Sequence, residues 1–364
     1  MNAAPQIALI TALPVESVAL RWTLGPVSRV RPPGDDPNDY VLAHVECGSV
    51  VVTSLVETNV VAAADASANL VRSFPSVRAA VLCGHAAGMP RPEDPERDVR
   101  LGDIVVGDSG VINHSHRRVT EDGVKLRGDP LPASALLRRA VVAMRSLELG
   151  GEEPWRGLMS PVPSLAYRRP DPEDDKDRPT KVFYGRIGSG EELLRSAARR
   201  DELARPNDLL AIEMEAAGVA GSLALAGREC LVVRGIADYG SRDKTDTWQP
   251  YAALAAAAYV RALLRLLKPP SEGGRHHFQE LVVVMGQVPS LQSPRDRDVV
   301  LDLMGPPVAG AAARDERTTV ALVNLAKACM GYRQGFEDLL RALTMLEGES
   351  LPVAALAEMV RRLQ

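Results

Sequence analysis

The first apolar run of the chain, QIALIT (residues 6–11), returns in kind along the first two thirds of the sequence. YVLAHVECG (40–48), VVTSLV (51–56), RAAVLCG (78–84), IVVGD (104–108), KVFYGRIGSG (181–190) and CLVVRGIAD (230–238) are short, largely apolar stretches that predict strands. Between them the apolar spacing widens to that of a helix. Pro14 suits the first position of a helix after the first strand, and a helix-like stretch runs to about Ser73. ALLRRAVVAMRSL (135–147) repeats apolar residues at 136, 137, 140, 141 and 144. LLAIEMEAAGVAGSLALAG (209–227) turns from strand to helix at Glu213, and WQPYAALAAAAYVRALLRLL (248–267) predicts a long alanine-rich helix. Strands alternating with helices predict an α/β sheet with helices on its faces.

The pattern breaks at KPPSEGGR (268–275), a Pro/Gly/Ser-rich stretch. Beyond it FQELVVVMGQV, RDVVLDLM, TTVALVNLAKACM, FEDLLRALTML and PVAALAEMVRRL each carry one apolar helical face. In the fourth, Phe336, Leu339, Leu340, Leu343 and Leu346 fall on one side. The expected organisation is an α/β domain over 1–268, a linker at 269–275 and a small all-α domain over 276–364. RRPDPEDDKDRPTK (168–181) predicts a solvated loop. No internal repeat has solenoid spacing.

Composition narrows the function classes. The chain has 364 residues, 46% hydrophobic and 25% charged, which is enough apolar material for a sizeable core. A formal net charge of -4 gives no support to nucleic-acid binding. Cysteines 47, 83, 230 and 329 are widely spaced, as expected of reduced thiols in a cytoplasmic protein rather than a disulfide frame or zinc site. The N-terminal segment has no basic leader and reads as a strand rather than a signal peptide. No run approaches the roughly 20 apolar residues that span a membrane.

Four polar features interrupt the apolar strand ends: Glu16, GHAAG (84–88), EME (213–215) and Arg234 with Asp238. In open α/β sheets ligands collect beyond the carboxyl ends of the strands. Each feature also has a plain structural reading. Glu16, Glu213 and Glu215 suit the first turn of a helix, where the dipole favours an acid. His85 suits a satisfied loop position, and Arg234 with Asp238 suits an ion pair capping a strand. Their joint appearance in this order is far more specific.

ITALPVE, the glycine/alanine turn at 84–88, VRLGDIVV (99–106), GRIGSGEELL (185–194), IEMEAAGVA (212–220) and VVRGIADYG (232–240) resemble the purine-nucleoside phosphorylase/uridine phosphorylase superfamily over residues 6 to about 267. Two branches are most similar: the methylthioadenosine/adenosylhomocysteine nucleosidases, and nucleosidase-like domains fused to signalling and defence proteins of fungi and bacteria. The resemblance implies a nucleoside phosphorylase-like α/β fold with a mixed central sheet, and cleavage of a purine N-glycosidic bond. By the family's pattern Asp238 is the acid that protonates the departing purine. General acid–base help of this kind is worth about 10²–10⁴-fold. Glu16 orients and deprotonates the attacking water, Glu215 holds the ribose hydroxyls beside Met214, and Arg234 fixes the water and the neighbouring carboxylates. Proton transfer and electrostatics suffice, so no metal or organic cofactor is implied.

Phosphorylases of the superfamily hold phosphate through arginines and glycine-rich backbone near the first strand. TALPVE offers apolar side chains and a carboxylate there, which favours water, with phosphorolysis as the alternative. Two positions depart from the nucleosidase pattern: His85 stands in the glycine turn, and Leu193 stands where the family stacks an aromatic on the purine. Trp248 matches the family's apolar residue at the sugar 5′ end, and equally suits a core aromatic at a helix start. Arg242 and Lys244 follow Asp238 closely, and NHSHRR (113–118) occupies a segment that in the family leans toward a neighbouring subunit. These basic residues suggest a 5′-phosphorylated substrate such as an adenine nucleotide; a solvated charged loop is the other reading. The tail resembles the small helical effector-associated domains of bacterial defence systems. That implies a protein partner for the tail and an effector role, while a homo-oligomer is expected through the catalytic domain. A nucleotide-sensing module without turnover is the competing class.

Overall fold

The predicted strands join one eleven-stranded mixed sheet, in a computed structural model that describes residues 4–32, 34–121, 123–127, 129–170, 178–267, 280–332 and 334–363. The expected linker at 269–275, the start of the tail's first helix and the middle of the charged stretch, 171–177, lie outside the described residues. The chain divides into two compact units, Met1–Pro269 and Pro270–Gln364.

In the first unit β1 (Ile7–Thr11) sits centrally, parallel to β4 (Gly48–Ser54) on one side and to β5 (Ala79–Gly88) on the other. Beyond β4, β3 (Tyr40–Val45) and β2 (Val27–Val30) continue antiparallel. Beyond β5 comes β13 (Glu229–Asp238), parallel to it, then β6 (Ile104–Val106), antiparallel to β13, and β10 (Val182–Tyr184). The far end of β5 pairs antiparallel with β12 (Leu209–Glu213), which continues into β11 (Arg186–Ser189) and β7 (Val111–Asn113). A separate hairpin joins β8 (Arg117–Thr120) to β9 (Gly123–Leu126).

The central strands are apolar without alternation because both faces of the sheet are covered. Leu9, Val81, Leu231 and Val233 point toward α1 (Pro14–Leu24), α3 (Ala135–Leu149) and α6 (Gln249–Leu266). Their neighbours Ala8, Ile10, Leu82 and Val232 point the other way, toward α2 (Val60–Ser73) and α5 (Ala216–Leu225). Successive strand residues face opposite sides, so one run supplies two cores.

Three local expectations are corrected. GHAAG is strand rather than turn, because β13 pairs along β5 as far as Ala86 and Ala87, and β12 takes up Ala87 and Gly88. KVFYGRIGSG is two strands broken at Gly185, since β10 pairs with β6 while β11 pairs with β12 and β7. Glu213 ends β12, and α5 starts only at Ala216 with Glu215 at its N-cap. The short β2 and β7–β9 and helix α4 (Ala197–Ala204) carry too little periodicity to be foreseen.

The alanines of α6 let that helix lie close on β13. A Cβ on Gly235 would collide with the backbone carbonyl of Ala252, and a backbone cannot yield as a side-chain tip does. Gly235→Ala is therefore expected to destabilise the first unit by about 1–3 kcal/mol, the usual cost of overpacking. Urea denaturation measures this, and an unchanged midpoint would show that α6 shifts freely.

The second unit is helical among its described residues. Helical residues 280–285 (α7) are followed by α8 (Pro294–Met304), α9 (Pro306–Ala311), α10 (Thr318–Gly331), α11 (Gly335–Glu347) and α12 (Leu351–Leu363). Leu281, Met285, Leu301, Leu325, Leu343 and Leu356 are among the residues of its core. In α11 Leu339 and Leu343 are buried with Ala342, whereas Leu346 is exposed at the end of the predicted face. No described helix is long and apolar enough to cross a membrane.

Candidate active site

The ends of β1, β5, β11, β12 and β13 open onto one cavity of about 270 Å³. That is close to the lower end of the roughly 300–1,000 Å³ usual for small-molecule sites. Glu16, His85, Leu193, Met214, Glu215, Asp238 and Lys244 all line it.

Glu16 stands in the first turn of α1, and its Oε2 accepts hydrogen bonds from the backbone N–H groups of Ala12 (2.8 Å) and Leu13 (3.0 Å). The helix thus begins on a side chain that also lines the cavity. Its Oε1 accepts the His85 N–H at 2.9 Å and lies 2.7 Å from His85 Nδ1, an electrostatic contact rather than an aligned hydrogen bond. Burial pushes the Glu16 carboxyl up, but the His85 imidazole and the Arg234 guanidinium outweigh it and hold it down at about 2. At neutral pH it is a carboxylate.

Arg234 is fully buried in β13. Its Nη2 donates to Glu213 and, at 3.0 Å, to Glu215 Oε2, while Nη1 lies 3.9 Å from Glu16 Oε1. A Cβ at Gly84 would collide with both Arg234 and Glu16, so glycine there keeps the two side chains in register. One guanidinium therefore faces three buried carboxylates. Burial, with repulsion from Glu213 and Glu16, pushes Glu215 above the usual carboxylate range against the pull of Arg234. Glu213 also accepts the N–H groups of Glu215 and Ala216, which fixes the start of α5.

Asp238 ends β13 just past a bulge at Ala237, the kind of irregularity that re-aims a side chain at a strand end. Its Oδ1 accepts the Gly240 N–H at 2.7 Å, and Lys244 Nζ stands 3.0 Å from its Oδ2. Both oxygens are thus engaged within the chain.

Two of the predicted residues stand apart. Trp248 is buried outside the cavity wall, packed with Ala237 and Ala252 and edge-on to Tyr251 at 5.8 Å. Arg242 is exposed and does not line the cavity. Leu193 lines the mouth and is 61% exposed. Within NHSHRR, His114 is buried and Arg117 pairs with Glu192, which lines the cavity, at 2.8 Å. Arg195, Thr58, Asp246 and Gln249 also line the cavity, although no sequence pattern singles them out, and none marks Glu213 as the partner of Arg234. Arg195 is within reach of the strand-end rule, since it follows the carboxyl end of β11 by six residues.

Comparison with known proteins agrees with this architecture. Residues 6–268 match the phosphorylase superfamily, and residues 282–361 match effector-associated domain 2. A nucleotide-binding leucine-rich repeat (NLR)-like protein of Hyaloscypha variabilis is 31% identical over 71% of this chain and 29% of its own length. The protein named ATP nucleosidase Cap17 of Escherichia coli is 27% identical over 70% of this chain and 50% of its own. The chain therefore spans half or less of these relatives. Among solved structures, the 5′-methylthioadenosine/S-adenosylhomocysteine nucleosidase of Neisseria meningitidis, in complex with methylthio-immucillin-A, has a TM-score of 0.54 at 19% identity. That match covers 71% of this chain and 98% of the other, and establishes likeness of fold.

Proposed function

The chain belongs to the phosphorylase superfamily, and on that premise we propose that its first unit hydrolyses the N-glycosidic bond of an adenine nucleotide and releases adenine. The observation that carries this reading is the meeting of Glu16, Glu215 and Asp238, from three different elements of the fold, on one cavity. Water adds to the anomeric carbon as the carbon–nitrogen bond breaks, and the purine leaves with a proton from Asp238. Glu16, with His85 against it, holds the water and receives its proton. Glu215, braced by Arg234, holds the ribose hydroxyls beside Met214, and the surrounding carboxylates favour the positive charge that develops on the sugar.

Hydrolysis is favoured over phosphorolysis because Arg234 is committed to carboxylates, and the carboxylate of Glu16 on the cavity wall would repel phosphate. A nucleotide is favoured over an uncharged nucleoside by Lys244 and Arg195 on the cavity wall and by the similarity to a protein named ATP nucleosidase. The effector-associated match supports a further part of the reading. The second unit recruits a protein partner, the first assembles as a homo-oligomer, and depletion of a shared nucleotide is the output of a defence system in the cytoplasm.

The test is product analysis after incubating the full chain with adenosine triphosphate, adenosine monophosphate, adenosine and methylthioadenosine, with and without phosphate. Adenine release from the triphosphate in phosphate-free buffer is expected. A sugar 1-phosphate product would establish phosphorolysis instead. Preference for methylthioadenosine would overturn the nucleotide assignment, and tight binding without any release would point to a sensor.

A further inference from the structure

The contact between Lys244 and Asp238 is more than a neighbourly ion pair. A general acid must carry a proton and must aim the oxygen that bears it at the leaving group. Here Oδ1 of Asp238 is taken by the Gly240 N–H and Oδ2 by the Lys244 ammonium, so the carboxyl is held as an acceptor. In that state it cannot donate.

The two partners differ in their freedom to let go. Gly240 contributes backbone at the end of β13, within the same turn. Lys244 lies on the segment between β13 and α6, lines the cavity and keeps 17% of its side chain exposed, against 4% for Asp238. Its four-carbon stem and compact, strongly hydrated charge let it swing to another anion. Among the described residues Lys244 pairs with Asp238, while Asp246 on the same wall accepts from the Gln249 side chain at 2.7 Å.

We propose that Lys244 is a substrate-gated clamp: it keeps Oδ2 of Asp238 engaged as an acceptor until the phosphate chain of a nucleotide draws the ammonium away. The freed oxygen then takes a proton from solvent and passes it to the purine. Phosphates thereby promote departure of the base as well as binding, and an uncharged nucleoside meets an acid still locked. Lys244 is a positioning residue for the reaction. The inference rests on the nucleotide reading above and on Asp238 as the acid.

The experiment compares wild type with Lys244→Met, which keeps the stem and removes the charge. Calorimetry measures adenine affinity with and without tripolyphosphate, a readout that needs no turnover. In the wild type tripolyphosphate is expected to tighten adenine by about five-fold or more, a typical coupling between sites. In Lys244→Met adenine binds tighter than in the wild type, and the coupling disappears. In turnover the variant is expected to gain rate on adenosine while its KM for adenosine triphosphate rises. Loss on the nucleotide alone, with adenine affinity and adenosine turnover unchanged, would reduce Lys244 to a phosphate ligand and overturn the clamp. An equal fall on both substrates, or no coupling in the wild type, would overturn it as well. If the wild type prefers adenosine, the nucleotide reading and the gate fail together. If neither substrate is turned over yet the calorimetric coupling is present and lost in the variant, the catalytic reading fails and the clamp on Asp238 stands.

Discussion

Asp238→Asn is expected to lower adenine release by about 10²–10⁴-fold, the range that one positioned acid contributes. The amide oxygen can keep the Gly240 N–H contact, so the end of β13 has no reason to move. An amide cannot pass a proton to the purine, and it removes the charge that Lys244 holds. Purine ligands should therefore still bind while turnover fails. Chromatographic assay of adenine gives the rate, and calorimetry with adenine gives the affinity. A variant that retains more than about a tenth of the rate would remove Asp238 from the role of acid, since it would fall short of that range.

The second large effect is on stability. Arg234→Met strips the only guanidinium contacting Glu213 and Glu215 among the described residues, and leaves them with Glu16 in a fully buried space. Breaking a buried pair costs about 3–5 kcal/mol, because the stranded charge keeps its desolvation penalty. The raised Glu215 already shows the strain of crowding these acids, with burial as its first cause. Urea denaturation should register that loss, and adding Glu213→Gln should restore part of it by removing one charge of the excess. A change below about 1 kcal/mol would mean that the acids simply take up protons and that the ion cluster has no net structural role.

Both residues sit in a stretch whose strand character is legible in the order of its amino acids. A run of apolar residues ending in Arg234 and Asp238 suits a strand with chemistry at its end, and the same logic locates Glu16 and Glu215. Buried strands and amphipathic helices announce themselves because burial acts on every residue in turn. The change from strand-and-helix alternation to helices alone at about residue 268 has the same origin. Turn chemistry is less dependable. The small residues of GHAAG suggest a turn because glycine and alanine are weak strand formers, yet they are strand because two neighbouring strands, β13 and β12, pair there.

By itself, then, the sequence determined the α/β and helical parts, the long buried strands among the described residues, and the carboxylates near their ends. Those depend on local pattern and on motifs within a few residues. Tertiary structure alone decided which of the basic residues reach the cavity, placing Lys244 and Arg195 there and leaving Arg242 outside. It also decided that His85 leans on Glu16, 69 residues away, and that Trp248 packs into the core. Long side chains such as lysine and arginine can point to several places from one backbone position. Their partners are chosen by charges brought near through folding, and no periodicity along the chain records that choice.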